Sequence, residues 1–350
     1  SHSSKLEQLH NSSLEAVRTS STMGQGCSNK CCGDKDGGIN QIAMPAVQEP
    51  VASLPQDPAP PLPIKKDEPL ARDPPVSKDA ATETLEEDNF ASYFDREVVE
   101  LKALPASLSD GTRPIHTFKT GATYNGQWRG NMRHGFGTQR WPDGASYQGK
   151  WDNNKATGRG RFTHSDGDIY IGEWNANVAH GKGIYYHRDL TTYKGEWIKD
   201  LQDGHGVEQW QEGTKFEGHF RNGQKEGHGV YYWPDGSKYC GTWEVNTING
   251  RGAYIGSDGR EFMGTWQDAV IHGMGKYSWQ NGREYRGQYF FDRKEGFGTF
   301  TWPDGKKYEG FWFQGRQHGH AKSTQTDGST QFNKWRDGRK EGHEQTNVDS

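Results

Sequence analysis

An aromatic residue recurs every 23 residues, without one insertion, across nine units: Tyr124, Tyr147, Tyr170, Tyr193, Phe216, Tyr239, Phe262, Tyr285 and Tyr308. With that aromatic as position 1, position 3 is always glycine (Gly126 to Gly310) and so is position 12 (Gly135 to Gly319). Position 5 holds Trp128, Trp151, Trp174, Trp197, Phe220, Trp243, Trp266, Tyr289 and Trp312. A half unit follows in phase, with Trp335 and Gly342. All 13 tryptophans obey the register: eight at position 5, and Trp141, Trp210, Trp233, Trp279 and Trp302 at position 18. Such a period marks a repeat array, in which each unit buries its apolar side only against its neighbours.

Within a unit the pattern reads as a hairpin. In YxGxW the aromatic, glycine and tryptophan alternate with period 2 and share one face of a strand. A polar turn such as RNGQKEG (221–227) follows, then a second strand such as GHGVYYW (227–233). That strand runs into Asp-Gly (Asp143-Gly144, Asp235-Gly236, Asp304-Gly305), expected to take positive φ at both residues. Unit 3 has Asp189-Leu190 instead, which predicts a distorted or wider turn there. Only 30% of the chain is hydrophobic, mean hydropathy is -1.06, and there are 47 glycines. An aliphatic core is therefore excluded. Rings must lie over glycines, as in aromatic rescue. The expected fold is all-β: an elongated single-layer antiparallel β-meander of stacked hairpins, preceded by a disordered N-terminal region and a short helix.

The pattern YxGxWxxGxxHGxGxxxxxDG resembles the MORN (membrane occupation and recognition nexus) repeat. Residues 124–146, YNGQWRGNMRHGFGTQRWPDGAS, follow it closely, with Gly130-Asn131 reversing the usual order. The repeat's histidine stands at His134, His180, His272 and His318 and is replaced by Thr157, Asp203, Glu226, Asn249 and Glu295. The resemblance covers residues 124–342 as nine repeats and a half. It implies a scaffold or membrane-associated platform.

Upstream, the chain divides by composition. Residues 1–22 read as sequence preceding the true start, and 23–40 as an acylated anchor. Residues 41–82 form a proline-rich linker; the stretch 45–75 holds 10 of the 15 prolines. PAPPLP at 58–63 is either plain spacer or a ligand for a proline-reading domain. In residues 83–103, Phe90, Phe94, Val98 and Leu101 fall on one helical face. That face reads as a cap on the first hairpin's edge or as a partner-binding helix. Residues 104–123 lead in to the repeats, and 343–350 are a tail.

The segment MGQGCSNKCC (23–32) fits the myristoylation window, with Gly24 as the acylated amine and Ser28 at the preferred hydroxyl position. One myristoyl chain binds membrane only marginally, so Cys27, Cys31 and Cys32 are the sites for a second, palmitoyl signal. An accidental match and a metal site are the alternatives, and C-x3-C-C lacks a fourth ligand. With Cys240 the four cysteines make no disulfide framework.

Residues 1–123 carry 12 Lys and Arg against 18 Asp and Glu, and residues 124–342 carry 30 against 26. This balance gives no case for a nucleic-acid partner. No nucleophile elbow, zinc-protease motif or phosphate loop is present, so no catalytic residue, metal or cofactor is assigned. The reading is a non-enzymatic scaffold tethered to the cytoplasmic face of a membrane. Its partners are proteins (cytoskeletal ones among them), membrane lipid, or a second copy through the C-terminal repeats. A lipid-independent axonemal or cytoskeletal scaffold, placed on the cytoskeleton or in a cilium, and a direct phospholipid reader are the rivals. The residues expected to carry the platform are the two columns Tyr124, Trp128, Tyr147, Trp151, Tyr170, Trp174, Tyr193, Trp197, Tyr239, Trp243, Trp266, Tyr308 and Trp312.

Overall fold

A computed structural model describes residues 90–105 and 109–341. Each unit is an antiparallel hairpin: β3 (Thr123–Arg129) with β4 (Met132–Arg140) in unit 1, β5 (Ser146–Asp152) with β6 (Lys155–Thr163) in unit 2, and so on to β19 (Lys307–Phe313) with β20 (Arg316–Thr324) in unit 9. Consecutive hairpins also pair, as in Tyr147 opposite Gln139 and Trp151 opposite Gly135. With the half unit, β21 (Thr330–Arg336) and β22 (Arg339–Lys340), the result is one antiparallel 22-stranded sheet. Two short strands, β1 (Gly111–Thr112) and β2 (His116–Thr117), pair with the outer edge of β3.

The glycines do two jobs. Those at positions 3 and 14 face each other, as Gly126 and Gly137 do, and the Tyr124 ring lies across both. A Cβ on Gly137 would sit 2.3 Å from the Tyr124 hydroxyl oxygen. That hydroxyl donates to the Gln127 carbonyl at 2.8 Å, and Tyr147, Tyr170 and Tyr193 repeat the bond three residues on. The glycine at position 12 instead takes positive φ (68° at Gly135) in a bulge, where pairing jumps from Gly126–Gly137 to Trp128–Arg133. Over the tyrosines lie the tryptophans. Tyr124 has Trp128 at 5.0 Å and Trp151 at 5.6 Å, both edge to face. Trp151 and Trp174 each donate their indole N–H to a glycine carbonyl of the preceding unit, at 3.2 Å. The core is therefore one-sided: a glycine-backed tyrosine floor under a tryptophan layer.

The turns differ from the sequence reading. The tight turn is two residues at positions 7 and 8, both at positive φ, such as Asn153 (48°) with Asn154 (71°) and Val245 (47°) with Asn246 (63°). The second strand consequently starts early, as in β12 (Gln224–Tyr232). In the Asp-Gly loops the glycine alone has positive φ (Gly144, 95°), while the aspartate side chain accepts a backbone N–H two residues on, Asp143 from Ala145 at 3.0 Å. The unit 3 loop is not widened. Leu190 takes the glycine's place at φ 72°, and the loop closes as elsewhere, His187 N to Thr191 O at 2.8 Å and Leu190 N to His187 O at 3.0 Å.

Position 8 also joins the units. Asn154 accepts the Arg133 N–H at 2.7 Å and returns its own N–H to the Arg133 carbonyl at 3.0 Å. Asn177, Asp200, Asn246 and Asp292 make the same two-way link to Ala156, Ala179, Lys225 and Ile271.

The helical region is two short pieces, α1 (Phe90–Asp95) and α2 (Val98–Ala103), broken at Arg96 and Glu97; residues 83–89 lie outside the described ones. They lie on the tyrosine–tryptophan face of units 1 to 3, and the edge of the first hairpin is taken by β1 and β2. The break shifts the helical phase. Tyr93 and Glu97 join Phe90, Phe94 and Leu101 in the buried set, while Val98 is half-buried.

Candidate functional site

The tyrosine–tryptophan face, the inner face of the sheet, holds a chain segment over units 1 to 3. Phe94 sits edge to face on Trp141, Tyr147, Trp151 and Phe162 at 5.2–5.9 Å. Phe90 packs one unit further on, against Phe162, Tyr170 and Trp174 at 5.0–5.6 Å. Tyr93 bridges Trp141 and Phe162 and donates to the Ser165 hydroxyl at 3.3 Å.

Polar contacts fix the segment's direction. Glu97, 1% exposed, accepts from Gln139 at 2.8 Å, the Trp141 indole at 3.3 Å and the Thr120 hydroxyl at 3.0 Å. Beside it Arg133 is fully buried 4.3 Å over the Trp151 ring, bonded to Gln139 and to the Asn154 carbonyl. Burial pushes the Arg133 guanidinium down to about 10, with Glu97 pulling it back up. At the rim Arg96 pairs with Asp143 at 2.9 Å, and the Asn131 amide holds the end of α2 through the Leu101 and Leu104 carbonyls.

Two inward-facing columns decide what this face can take. Position 16 reads Gln139, Phe162, Tyr185, Glu208, Tyr231, Tyr254, Tyr277, Phe300 and Ser323. Position 10, opposite the tryptophan, reads Arg133, Ala156, Ala179, Gln202, Lys225, Ile248, Ile271, Lys294 and Gln317. Ala156 and Ala179 leave room above Trp151 and Trp174, and the Phe94 and Phe90 rings stand over those indoles. From unit 4 on, position 10 is large and covers the floor from within. The Lys225 ammonium lies 5.1–5.9 Å over Trp210, Phe216 and Phe220 and pairs with buried Glu208 at 2.9 Å. Lys294 lies 5.2–5.5 Å over Trp279, Tyr285, Phe300 and Trp312.

The structure brings the two expected columns together. Tyr124, Tyr147, Tyr170, Tyr193, Tyr239 and Tyr308 form the floor, and Trp128, Trp151, Trp174, Trp197, Trp243, Trp266 and Trp312 lie above it, all at most 5% exposed. They are core, and what they offer a partner is the surface their layer makes. Gly24, Cys27, Cys31 and Cys32 lie outside the described residues. The sequence reading missed the columns at positions 10 and 16, together with Tyr93 and Glu97; tabulating every position of the period, rather than the invariant ones, exposes both columns. The histidine column does inter-unit structural work, since His134 faces Asp152 at 3.2 Å and its replacements Asp203, Glu226 and Glu295 accept N–H groups of the next turn. Among the described residues no group of three or more His, Cys, Asp or Glu could hold a metal ion, and no helix is long and apolar enough to cross a membrane.

Solved structures similar to this chain include the TCP10 domain of Danio rerio CPAP, at 15% identity over 55% of this chain and 91% of that one, TM-score 0.34. The same domain in complex with a peptide of Danio rerio STIL gives 13% over 63% and 98%, TM-score 0.35. The Drosophila melanogaster SAS-4 TCP domain, in complex with a proline-rich motif of Ana2, gives 14% over 50% and 83%, TM-score 0.25. No curated protein matches the chain. The MORN repeat matches nine times in succession, from residues 124–146 to residues 308–330, with every match in the register of the hairpins described above. By that match over more than half its length, the chain belongs to the MORN repeat family.

Proposed function

We propose that this chain is a non-enzymatic scaffold, tethered to the cytoplasmic face of a membrane, that holds protein partners on its repeat array. The observation that carries the reading is the seat over units 1 to 3. There a glycine-backed aromatic face binds an amphipathic segment through Phe90, Tyr93, Phe94 and Glu97. A surface that seats such a segment in cis is chemically fitted to seat one from a partner. The tether rests on Gly24 with Cys27, Cys31 and Cys32, because two lipid signals give the stable attachment that one cannot. Against a direct lipid reader stands the pairing on the opposite face, where Arg159 lies opposite Glu173 and Lys182 opposite Glu196.

Two measurements test the two halves. Mass spectrometry of the N-terminal peptide from the native cell should find a peptide beginning at Gly24 and heavier by a myristoyl group. An unmodified peptide running through Met23 would remove the tether and leave a cytoskeletal or axonemal scaffold as the reading. A labelled peptide of residues 86–103 should bind a full chain whose own Phe90 and Phe94 are alanine. No binding would remove the receptor role of the inner face.

A further inference from the structure

The outer face, opposite the tyrosines and tryptophans, carries a row in which position 13 of each unit faces position 4 of the next. What meets there changes from junction to junction. Arg159 faces Glu173 and Lys182 faces Glu196, opposite charges that favour cross-strand pairing. Towards the C-terminal end Phe297 faces Phe311, and both rings are left in water, 53% and 51% exposed. Between units 4 and 5 both places are histidine. His205 on β10 (Leu201–Gln209) stands directly opposite His219 on β11 (Lys215–Arg221). Both residues are exposed, and their ring centres are 5.7 Å apart. Position 13 is histidine again at His228 and His320, but these face Thr242 and Lys334.

We propose that His205 and His219 together chelate a divalent first-row metal ion such as zinc, which ties units 4 and 5 to each other across the outer face. Three observations support this. The first is spacing. Two imidazoles that share one ion through metal–nitrogen bonds of about 2.0–2.1 Å hold their ring centres about 5–6 Å apart at tetrahedral-like angles. The two strands already set that separation, so only rotation about χ2, a soft torsion in histidine, is needed to aim the nitrogens. The second is the tautomer. The His219 Nδ1 lies 3.4 Å from the His228 carbonyl oxygen. A carbonyl only accepts, so the contact places the proton on Nδ1 and leaves the Nε2 lone pair as the metal donor. A backbone carbonyl orients metal-binding histidines in the same way. The third is charge. A Cβ on Gly204 would come within 2.3 Å of the Glu196 carboxylate, so negative charge lies beside the residue that precedes His205. Two neutral imidazoles suit zinc, nickel or copper, whereas magnesium and calcium take oxygen ligands. With two protein ligands, water completes the coordination and the ion exchanges with solvent.

The test is calorimetric titration of the full, unacylated chain with zinc ion at about pH 7.5, where imidazole ligands are deprotonated. The chain carries Cys27→Ser, Cys31→Ser and Cys32→Ser, which removes the thiols of that cluster as competitors. The expected result is one saturable site with a Kd on the order of 10 µM. His205→Gln and His219→Gln should each weaken it at least tenfold, because either change leaves a single imidazole. His219→Gln copies Gln127 and Gln288, which the chain's own units carry at position 4, so folding should be retained. Unchanged urea midpoints without metal would verify this for both variants. His320→Gln, at the same position as His205 but opposite Lys334, should bind zinc as the parent does. No saturable binding overturns the proposal and leaves the two rings as an edge-to-face contact only. A site that survives either substitution in the pair, or that His320→Gln weakens as much, overturns it as well. Partner binding and acylation are read on other residues by other measurements, so each idea can fail alone.

Discussion

Units 1 to 3 and units 4 to 9 share a backbone and a tyrosine floor, yet close their inner faces in opposite ways. In units 2 and 3 position 10 is alanine, and rings from α1 fill the space above the tryptophans. From unit 4 the same position supplies Gln202, Lys225, Ile248, Ile271 and Lys294, and Tyr277 and Phe300 are each only 3% exposed with neither α1 nor α2 over them. A long side chain laid along an aromatic surface buries it much as a docked ring does. In a one-layer sheet, a single position per repeat therefore decides whether the face is a seat or is already closed.

The largest expected effect comes from breaking the polar lock of the seat. Glu97→Ala leaves Gln139 and the Trp141 indole without their acceptor and Arg133 without its main opposing charge, which should lower stability by about 3 kcal/mol in urea unfolding. Retention of the wild-type midpoint would mean that Glu97 is a passenger. Ala156→Lys turns unit 2 into a self-covered unit. It should expel Phe94 at a net loss of about 1–3 kcal/mol and raise hydrogen exchange in α1 while the strand amides stay protected. Protection of α1 in that variant would break the position 10 rule.

In the self-covered region Lys225→Met strands Glu208 and should lose about 3 kcal/mol, whereas Lys225→Met with Glu208→Met should fall within about 1 kcal/mol of wild type or above it. A double variant as weak as the single one would show that the pair itself stabilises the face. Asp200 marks the boundary between the regions, and burial raises its pKa to about 6. The folded state therefore holds the proton more tightly than the unfolded chain, and this contribution is full below about pH 4 and lost as pH rises through 6. Asp200→Asn keeps the oxygen that accepts the Ala179 N–H. Its stability relative to wild type should rise by about 1–2 kcal/mol between pH 4 and 7, after allowance for solvent screening. A difference independent of pH would contradict the shift. Smallest is Leu190→Gly, which relieves a left-handed residue at φ 72° and should gain about 1 kcal/mol. A loss would mean that the exposed Leu190 side chain, 63% accessible, makes a contact worth more than its strain.

The hairpins, their order and the aromatic columns were legible because a 23-residue period repeats each local signal nine times. Turn chemistry was less so. Asp-Gly is a strong tight-hairpin signal taken singly, yet here it closes the longer loop between units, and the tight turn falls on pairs such as Val245-Asn246, whose valine does not advertise positive φ. Neighbouring strands impose that geometry and hold it through the position 8 links. For the N-terminal segment the apolar residues were visible, but not the break at Arg96 and Glu97, since Glu97 turns inward only because Gln139, Trp141 and Thr120 await it.

Sequence alone therefore determined the repeat, the sheet and the floor of rings on glycine, because each depends on contacts within one unit or with the next, and strict periodicity writes those contacts out in full. Only the tertiary structure decided where the helical segment lies, which face receives it and where phenylalanines are left in water. Those outcomes turn on side-chain volume at positions that vary from unit to unit, and a difference between alanine and lysine acquires meaning only once the strand opposite is known.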